Sequence, residues 1–139
     1  MPDRPPRRFF GTNVLLYLAS GDEEKAGRVE RLLAEGGTIS VQVLNELANV
    51  ARRKMHLSWN ETRAFVAPYR MLLAVVPLTL DVHEAGLEIA DRYQLSVYDG
   101  MIVAAALAAD CDTLLSEDMH HGLVVHGKLT ILNPFFAGN

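Results

Sequence analysis

Acidic side chains beside apolar segments stand at three places in this sequence of 139 residues: Glu46, Asp99 and the pair Glu117 and Asp118. Clustered carboxylates repel one another, so a group of them persists where a cation binds. A site built from oxygen ligands favours Mg²⁺ or Mn²⁺ over Zn²⁺. The typical chemistry of such a site is phosphodiester hydrolysis, in which the metal polarises the phosphate, activates a water and stabilises the leaving oxygen.

Each of these residues also has an interpretation without chemistry. Asp99 suits the N-cap of a helix, Asp118 suits a turn, and Glu46 suits the solvated face of an amphipathic helix. Taken singly, these interpretations are the more frequent ones. The metal hypothesis therefore depends on whether the fold brings the three positions together.

The elements that must position these residues alternate between short β-like runs and helical segments. Strand-like runs are predicted at residues 8–10, 38–41, 73–80, 113–116 and 129–132. Helical patterns are predicted at residues 22–35, after residue 41, from residue 58, from residue 81 to about 93, and at residues 99–110. Residues 14–18 fit either a strand or a buried helix, because periodicity alone does not separate the two.

Local signals mark several helix ends. Ser58 and Glu61 have the spacing of a capping box and predict the start of a helix, which Pro68 is expected to kink or break. Asp81 and Glu84 repeat the capping-box spacing before the next helix.

Strands separated by helical crossovers predict an α/β fold with a parallel sheet covered on both faces. In open parallel sheets, ligands bind beyond the carboxyl ends of the strands. Glu46, Asp99 and Asp118 each follow a strand or open the next helix, so we expect them at one edge of the sheet.

Composition narrows the class of protein. Half of the residues are apolar, which excludes intrinsic disorder, and the lone Cys111 excludes an internal disulfide framework and a Cys-rich zinc site. The longest apolar run is residues 101–109, about half of a membrane span, and no secretory signal opens the chain. With a net charge of −4, passive coating of nucleic acid is disfavoured. We expect a soluble, cytoplasmic protein of one domain, residues 1–139, with a flexible leader at residues 1–8 and no membrane association.

Four motifs, in order, resemble those of PIN-domain ribonucleases. They are FFGTNVLLY at residues 9–17, NEL at 45–47, YDGMIVAAA at 98–106 and LLSEDMHHG at 114–122. By pattern and size the sequence is most similar to the VapC-type toxins of bacterial toxin–antitoxin pairs, over residues 9–134. This resemblance implies a PIN-like three-layer α/β/α fold with a mostly parallel central sheet of four to five strands.

The resemblance also implies an activity and its residues. It implies an endoribonuclease dependent on Mg²⁺ or Mn²⁺ that hydrolyses RNA, forms a homodimer and is held inactive by a cognate antitoxin protein. The catalytic, metal-binding carboxylates carried over are Glu46, Asp99 and Asp118. The supporting residues carried over are Thr12, Asn13, Ser116 and Glu117, the last in place of, or beside, Asp118.

Gly11 departs from the pattern, because the family has its first aspartate at this position. Glycine supplies no ligand, so the loss should weaken Mg²⁺ binding and impair most of the rate. Three explanations are open: an inactivating change made or selected to permit expression, a naturally silenced module that binds a partner protein or RNA, or compensation by Glu117 or a water. We favour the first, since the rest of the pattern is intact.

The remaining features are less specific. His120, His121 and His126 are typical of a solvated loop rather than a metal site, and Cys111 is typical of a core. The basic run at residues 52–54 suits either the helix C-terminus or phosphate contact. No aromatic platform for single strands stands out. An α/β phosphatase or receiver-like domain shares carboxylates at strand ends, but such sites need paired acidic residues after the first strand, which are absent.

Overall fold

The computed structural model describes residues 7–136, so most of the predicted leader, residues 1–8, lies outside the described residues. Arg7 and Arg8 are the exceptions and do not fit a flexible leader, because Arg7 forms an ion pair with Asp110 at 2.9 Å and Arg8 is the first residue of a strand. The strands are Arg8–Phe10 (β1), Thr38–Ser40 (β2), Ala74–Val76 (β3), Thr113–Leu115 (β4), Val124–Val125 (β5) and Leu129–Leu132 (β6). The helices are Thr12–Leu16 (α1), Glu23–Leu33 (α2), Val41–Arg53 (α3), Trp59–Leu72 (α4), Leu80–Tyr93 (α5) and Val97–Ala108 (α6), with a 3₁₀ turn at Tyr17–Ala19.

The six strands form one sheet in the order β3-β2-β1-β4-β6-β5. All neighbours are parallel except β5 and β6. The predicted α/β class, with a mostly parallel sheet between helices, is confirmed. The sheet has one strand more than the four to five expected. The additional strand, β5, has only two residues and is formed by a tight turn at His126 and Gly127, both with positive φ.

The hydrophobic core contains the segment that the sequence left ambiguous, residues 14–18, and the alanine-rich segment. Residues 14–18 form the end of α1 and the start of the 3₁₀ turn rather than a strand, with Val14 and Leu15 fully buried. Phe9 and Phe10 of β1 are also fully buried. Helix α6 is buried continuously from residue 100 to 106, which accounts for its alanine-rich sequence, since small side chains allow close packing on several sides.

Three predicted helix features are corrected by the structure. Helix α4 begins at the predicted capping box but continues through Pro68, whose exposed position lets water satisfy the carbonyl that proline leaves unpaired. Helix α5 is capped by Thr79 rather than Asp81, because the strand of the segment 73–80 is confined to β3. Helix α6 is capped by Ser96, so Asp99 is not its N-cap.

No helix in residues 7–136 is both long enough and apolar enough to cross a lipid bilayer.

Candidate active site

The candidate site lies at the carboxyl ends of three adjacent strands, β2, β1 and β4. Thr12 begins the helix after β1, Glu46 lies in the helix after β2, and Asp118 follows β4. Asp99 comes from the first turn of α6. The topology therefore brings the predicted acidic positions to one edge of the sheet, as parallel strands with helical crossovers require.

Glu46 is held firmly in place. Thr12 donates a hydrogen bond from Oγ1 to one carboxylate oxygen at 2.6 Å, and Gln42 donates from Nε2 to the other at 2.9 Å. Both donors are buried, so the Glu46 carboxylate keeps its orientation without a cationic partner. Gln42 was not predicted, although its position four residues before Glu46 puts both on one face of α3.

The pKa of Asp99 depends on burial and on the charges of the other two carboxylates. Partial burial raises its pKa, and the negative charges of Glu46 and then Asp118 raise it further, against a lowering hydrogen bond from Ser96. Within residues 7–136, no basic side chain forms an ion pair with any of the three carboxylates. Their repulsion is therefore not balanced by the protein, which is the electrostatic condition that a divalent cation relieves.

The donor chemistry fits a hard divalent cation, but the residues do not form a complete cage. Within residues 7–136, no three His, Cys, Asp or Glu side chains are arranged so that they could hold one metal ion together. Mg²⁺ commonly binds through one or two carboxylates and keeps several waters. The half-buried Glu46 and Asp99 and the exposed Asp118 fit that mode.

Gly11 occupies the position of the missing carboxylate and is tightly enclosed. Its N–H donates to the Leu115 carbonyl oxygen at 2.8 Å, joining the ends of β1 and β4. A Cβ at this position would lie 2.9 Å from the same oxygen, so any side chain requires the backbone to shift. Its φ of −75° is open to every residue, so the constraint at Gly11 is space rather than conformation.

Ser116 and Asn13 occupy supporting positions. Ser116 is buried, and its Oγ accepts a hydrogen bond from the Met119 N–H at 3.3 Å, which orders the turn that carries Asp118. Asn13 is exposed and lines a cavity next to Glu46.

Glu117 belongs to a different cluster from Asp118. Tyr17 donates to one of its oxygens at 2.6 Å and Lys25 to the other at 3.0 Å. The hydrogen bond from Tyr17, and then those with Lys25, lower the pKa of Glu117. The Lys25 ammonium also lies over the rings of Tyr17 and Phe135, at 4.6 and 4.9 Å. Both oxygens of Glu117 therefore accept hydrogen bonds that link the segment after β4 to Tyr17 and to α2.

The cavity beside Glu46 has a volume of about 570 Å³. It is lined by Thr12, Asn13, Gln42, Asn45, Glu46, Asn49, Val50, Lys54 and Tyr98. Of these, Asn45, Asn49 and Tyr98 were not predicted as site residues. The signal for two of them was present, because Asn45 and Asn49 continue the polar face of α3 at helical spacing.

The histidines and the cysteine have structural settings. His121 accepts a hydrogen bond from the Asn133 N–H at 2.9 Å and stacks on Phe136 at 4.0 Å, while His120 and His126 are exposed. Cys111 is buried, and burial raises the pKa of its thiol. Among the described residues none of them joins a metal-binding group.

Comparison with known proteins agrees with this geometry. The PIN domain family model matches residues 9–122. Similar solved structures include a toxin–antitoxin complex from Klebsiella pneumoniae, with 21% identity, a TM-score of 0.67 and coverage of 92% of this chain and 98% of that chain. VapC20 of Mycobacterium tuberculosis, a sarcin-ricin loop cleaving toxin, has 20% identity, a TM-score of 0.65 and coverage of 80% and 89%. DNA-bound VapBC from Salmonella typhimurium has 17% identity, a TM-score of 0.67 and coverage of 91% and 97%. At these identities the likeness shows the fold. A comparison with curated proteins gives no match.

Proposed function

Because the chain belongs to the PIN domain family, we propose that it is a VapC-type endoribonuclease, the toxin of a toxin–antitoxin pair. It hydrolyses RNA in the cytoplasm with Mg²⁺ or Mn²⁺, and Gly11 impairs this activity because it supplies no metal ligand. The observation that carries this proposal is that the fold brings Glu46, Asp99 and Asp118 to one edge of the sheet, where burial and then the other two carboxylates raise the pKa of Asp99. Three carboxylates that repel one another at the end of a parallel sheet favour a cation-dependent reaction on a phosphate.

The residues would divide the work as follows. Glu46, Asp99 and Asp118 would hold the metal, one or two of them directly and the rest through its waters. When bound, the metal would supply an activated water and stabilise charge on the phosphate. Thr12 and Gln42 fix the orientation of the Glu46 carboxylate through their hydrogen bonds. Ser116 orders the turn that presents Asp118.

The partners remain part of the proposal. A cognate antitoxin is supported by structural neighbours that are toxin–antitoxin complexes. A homodimer is supported by large apolar side chains that are exposed between residues 71 and 80.

A catalytically silent PIN-like module that binds a partner protein or RNA is the second candidate function. Two observations favour it. Gly11 offers no side-chain oxygen to a metal, and no three acidic side chains in residues 7–136 form a metal-binding group. The two functions differ in whether a carboxylate at position 11 creates activity.

The test compares the chain as written with Gly11→Asp and Gly11→Ala. Both substitutions place a Cβ 2.9 Å from the Leu115 carbonyl oxygen, so both should lower the free energy of unfolding by about 1 kcal/mol. Only Gly11→Asp adds a carboxylate, so only this variant should bind Mn²⁺ more tightly and raise RNA cleavage about 100-fold or more. Mn²⁺ binding is measured by calorimetry, and cleavage on a mixed-sequence single-stranded RNA and on ribosomal RNA.

The outcomes separate the two candidates. If Gly11→Asp folds like Gly11→Ala but gains neither Mn²⁺ affinity nor cleavage, the nuclease proposal is wrong and the binding module is favoured. If the chain as written already cleaves RNA, the nuclease proposal stands and the impairment by Gly11 is wrong.

A further inference from the structure

A continuous groove leads away from the carboxylates along helices α3 and α4. The cavity beside Glu46 shares Asn45 and Asn49 with a second cavity of about 460 Å³. The second shares Ala48 and Trp59 with a third of about 550 Å³. Because Asn45, Ala48 and Asn49 lie at helical spacing, one face of α3 forms the floor of this groove.

The groove is positively charged beyond Glu46. The basic residues that line it are Arg52, Arg53, Lys54, Arg63 and Arg70. The whole chain carries a net charge of −4, so these cations are concentrated on one surface. Among residues 7–136, none of them forms an ion pair with a carboxylate, which leaves their charges available to a polyanion.

Trp59 stands in the middle of the groove with its ring largely uncovered. Its exposed fraction is 61%, and the Arg52 guanidinium lies 4.1 Å from the ring centre. Arg52 is itself fixed by a hydrogen bond to the Leu57 carbonyl oxygen at 2.6 Å. The capping box of Ser58 and Glu61 fixes the backbone that carries Trp59. The indole is therefore held in place before any ligand arrives.

Thr62 adds an unused hydrogen-bonding group. Its hydroxyl is buried without a hydrogen-bond partner among the described residues, and Thr62 lines the third cavity. An unpaired buried hydroxyl is unfavourable, so Thr62 is a costly residue in the wall of this cavity.

We propose that Trp59 and Arg52 form a base-stacking subsite for single-stranded RNA, with the neighbouring arginines contacting its phosphates. This inference rests on the proposed function, because it assigns the groove to the RNA that the carboxylates would cleave. Arg52 lies six residues beyond Glu46, or roughly 9 Å along α3. That distance is within reach of the nucleotides next to the one that the carboxylates would hold.

An exposed aromatic ring within a row of cations favours RNA over an acidic peptide. Bases stack on such a ring whatever their sequence, while the cations follow the backbone. An acidic peptide would use the cations but would leave the indole without a partner of its own. The sequence alone indicated no aromatic platform. A single tryptophan can serve as a stacking surface only when the fold places it in a charged groove, and its position is not visible from the sequence.

The experiment uses the fact that Trp59 is the lone tryptophan of the chain. A mixed-sequence single-stranded RNA is titrated in EDTA, which prevents cleavage, and tryptophan fluorescence and anisotropy of labelled RNA are measured together. We expect RNA to quench the fluorescence, and an abasic oligonucleotide of equal length to bind without quenching. Trp59→Ala should weaken RNA binding about tenfold and leave the affinity for the abasic strand unchanged.

Matched controls separate stacking from charge. Arg92 also lies over an aromatic ring, that of Tyr93 at 5.3 Å, and it lines none of the three cavities. Arg92→Gln should leave RNA binding unchanged, whereas Arg63→Gln should weaken binding to both strands. Circular dichroism of each variant verifies folding.

Each failure has a distinct meaning. If RNA binds without quenching and Trp59→Ala binds equally well, the stacking subsite is wrong while the proposed function stands. If RNA does not bind at all, the subsite is wrong, and the cleavage assay with Gly11→Asp decides the proposed function separately. If polyglutamate binds and RNA does not displace it, the groove belongs to an acidic protein partner and the inference is overturned.

Discussion

Asp99 is a candidate-site residue whose ionisation depends on its surroundings. Its pKa is raised in the folded protein by burial, Glu46 and Asp118. The folded state therefore holds this proton more tightly than the unfolded chain does. Consequently, the stability of the metal-free protein should fall as the pH rises from the unfolded pKa through the folded one.

We expect Asp99→Asn to remove this loss of stability at rising pH, because asparagine does not ionise. In EDTA at neutral pH the variant should melt about 3 °C higher than the parent, while at a pH below both pKa values the two should melt alike. Mn²⁺ should raise the Tm of the parent and not that of Asp99→Asn, because the carboxylate is the ligand. Scanning calorimetry across pH measures both effects. The exposed Asp91 supplies the control Asp91→Asn, and an equal response of the two variants would contradict the prediction.

Mutation of a buried residue usually lowers the free energy of unfolding, but at Thr62 we expect a substitution to raise it. Thr62→Val removes a buried hydroxyl that has no hydrogen-bond partner within residues 7–136, so the free energy of unfolding should rise by about 1 kcal/mol. Ser40 is buried too, but its hydroxyl caps α3 by accepting from the Val43 N–H at 3.3 Å. Ser40→Ala should therefore lower the free energy by about 1 kcal/mol. Urea denaturation compares the two, and a loss of stability in Thr62→Val would show that the hydroxyl has a partner.

At the scale of elements, the contact between α5 and α6 requires glycine on both sides. A Cβ at Gly100 would overlap the carbonyl oxygen of Gly86, and one at Gly86 would lie 2.7 Å from Met101 Sδ. The two helices thus pack backbone to backbone directly behind Asp99. This close approach fixes the first turn of α6, and with it the position of the Asp99 carboxylate.

Gly100→Ala should separate these helices and destabilise the protein by about 2–3 kcal/mol. It should also weaken Mn²⁺ binding, since Asp99 is its neighbour in the chain. Gly27→Ala in α2 is the matched control, because a Cβ there meets only Arg31 Nη1, at 3.6 Å, and should stabilise the helix by about 0.5–1 kcal/mol. Thermal melts test the pair, and equal Tm values would refute the close-packing argument.

Element order was predictable from sequence, whereas some boundaries and contacts were not. Alternating strand and helix patterns gave the α/β class, and strand ends located Glu46, Asp99 and Asp118. The segment 14–18 was ambiguous because an unbroken run of apolar residues shows no periodicity. Glu117 pairs with Lys25 across 92 residues, and such tertiary pairing leaves no local signal. The enclosure of Gly11 likewise depends on β4, which is distant in sequence.

At the scale of the whole molecule, one surface is unusually apolar. Five large side chains between residues 71 and 80 are exposed: Met71, Leu72, Val75, Leu78 and Leu80. They lie at or beside β3, which is an edge strand of the sheet. Exposed apolar side chains grouped in this way are typical of protein interfaces, and the proposed homodimer would use them.

Leu72→Lys should therefore convert a dimer into a monomer, because it places a charge in the interface. We expect at least about a tenfold rise in the dissociation constant, measured by light scattering after size-exclusion chromatography. Leu72 is 65% exposed, so the Tm of the monomer should change little. Val124→Lys, at the opposite edge of the sheet, should leave the dimer intact. A parent protein that is monomeric at high concentration would rule out this interface.

The place of β1 in the middle of the sheet bears on how the chain matures during synthesis. Arg8 leaves the ribosome early, yet it pairs with Thr113, which is translated roughly 5–20 s later at about 5–20 residues per second. Until then, one side of β1 has no strand beside it. Asp118 emerges later still, so a nascent chain carries no assembled acidic site. Translation therefore sets the earliest moment at which the proposed nuclease could act on RNA, including the messenger from which it is being made.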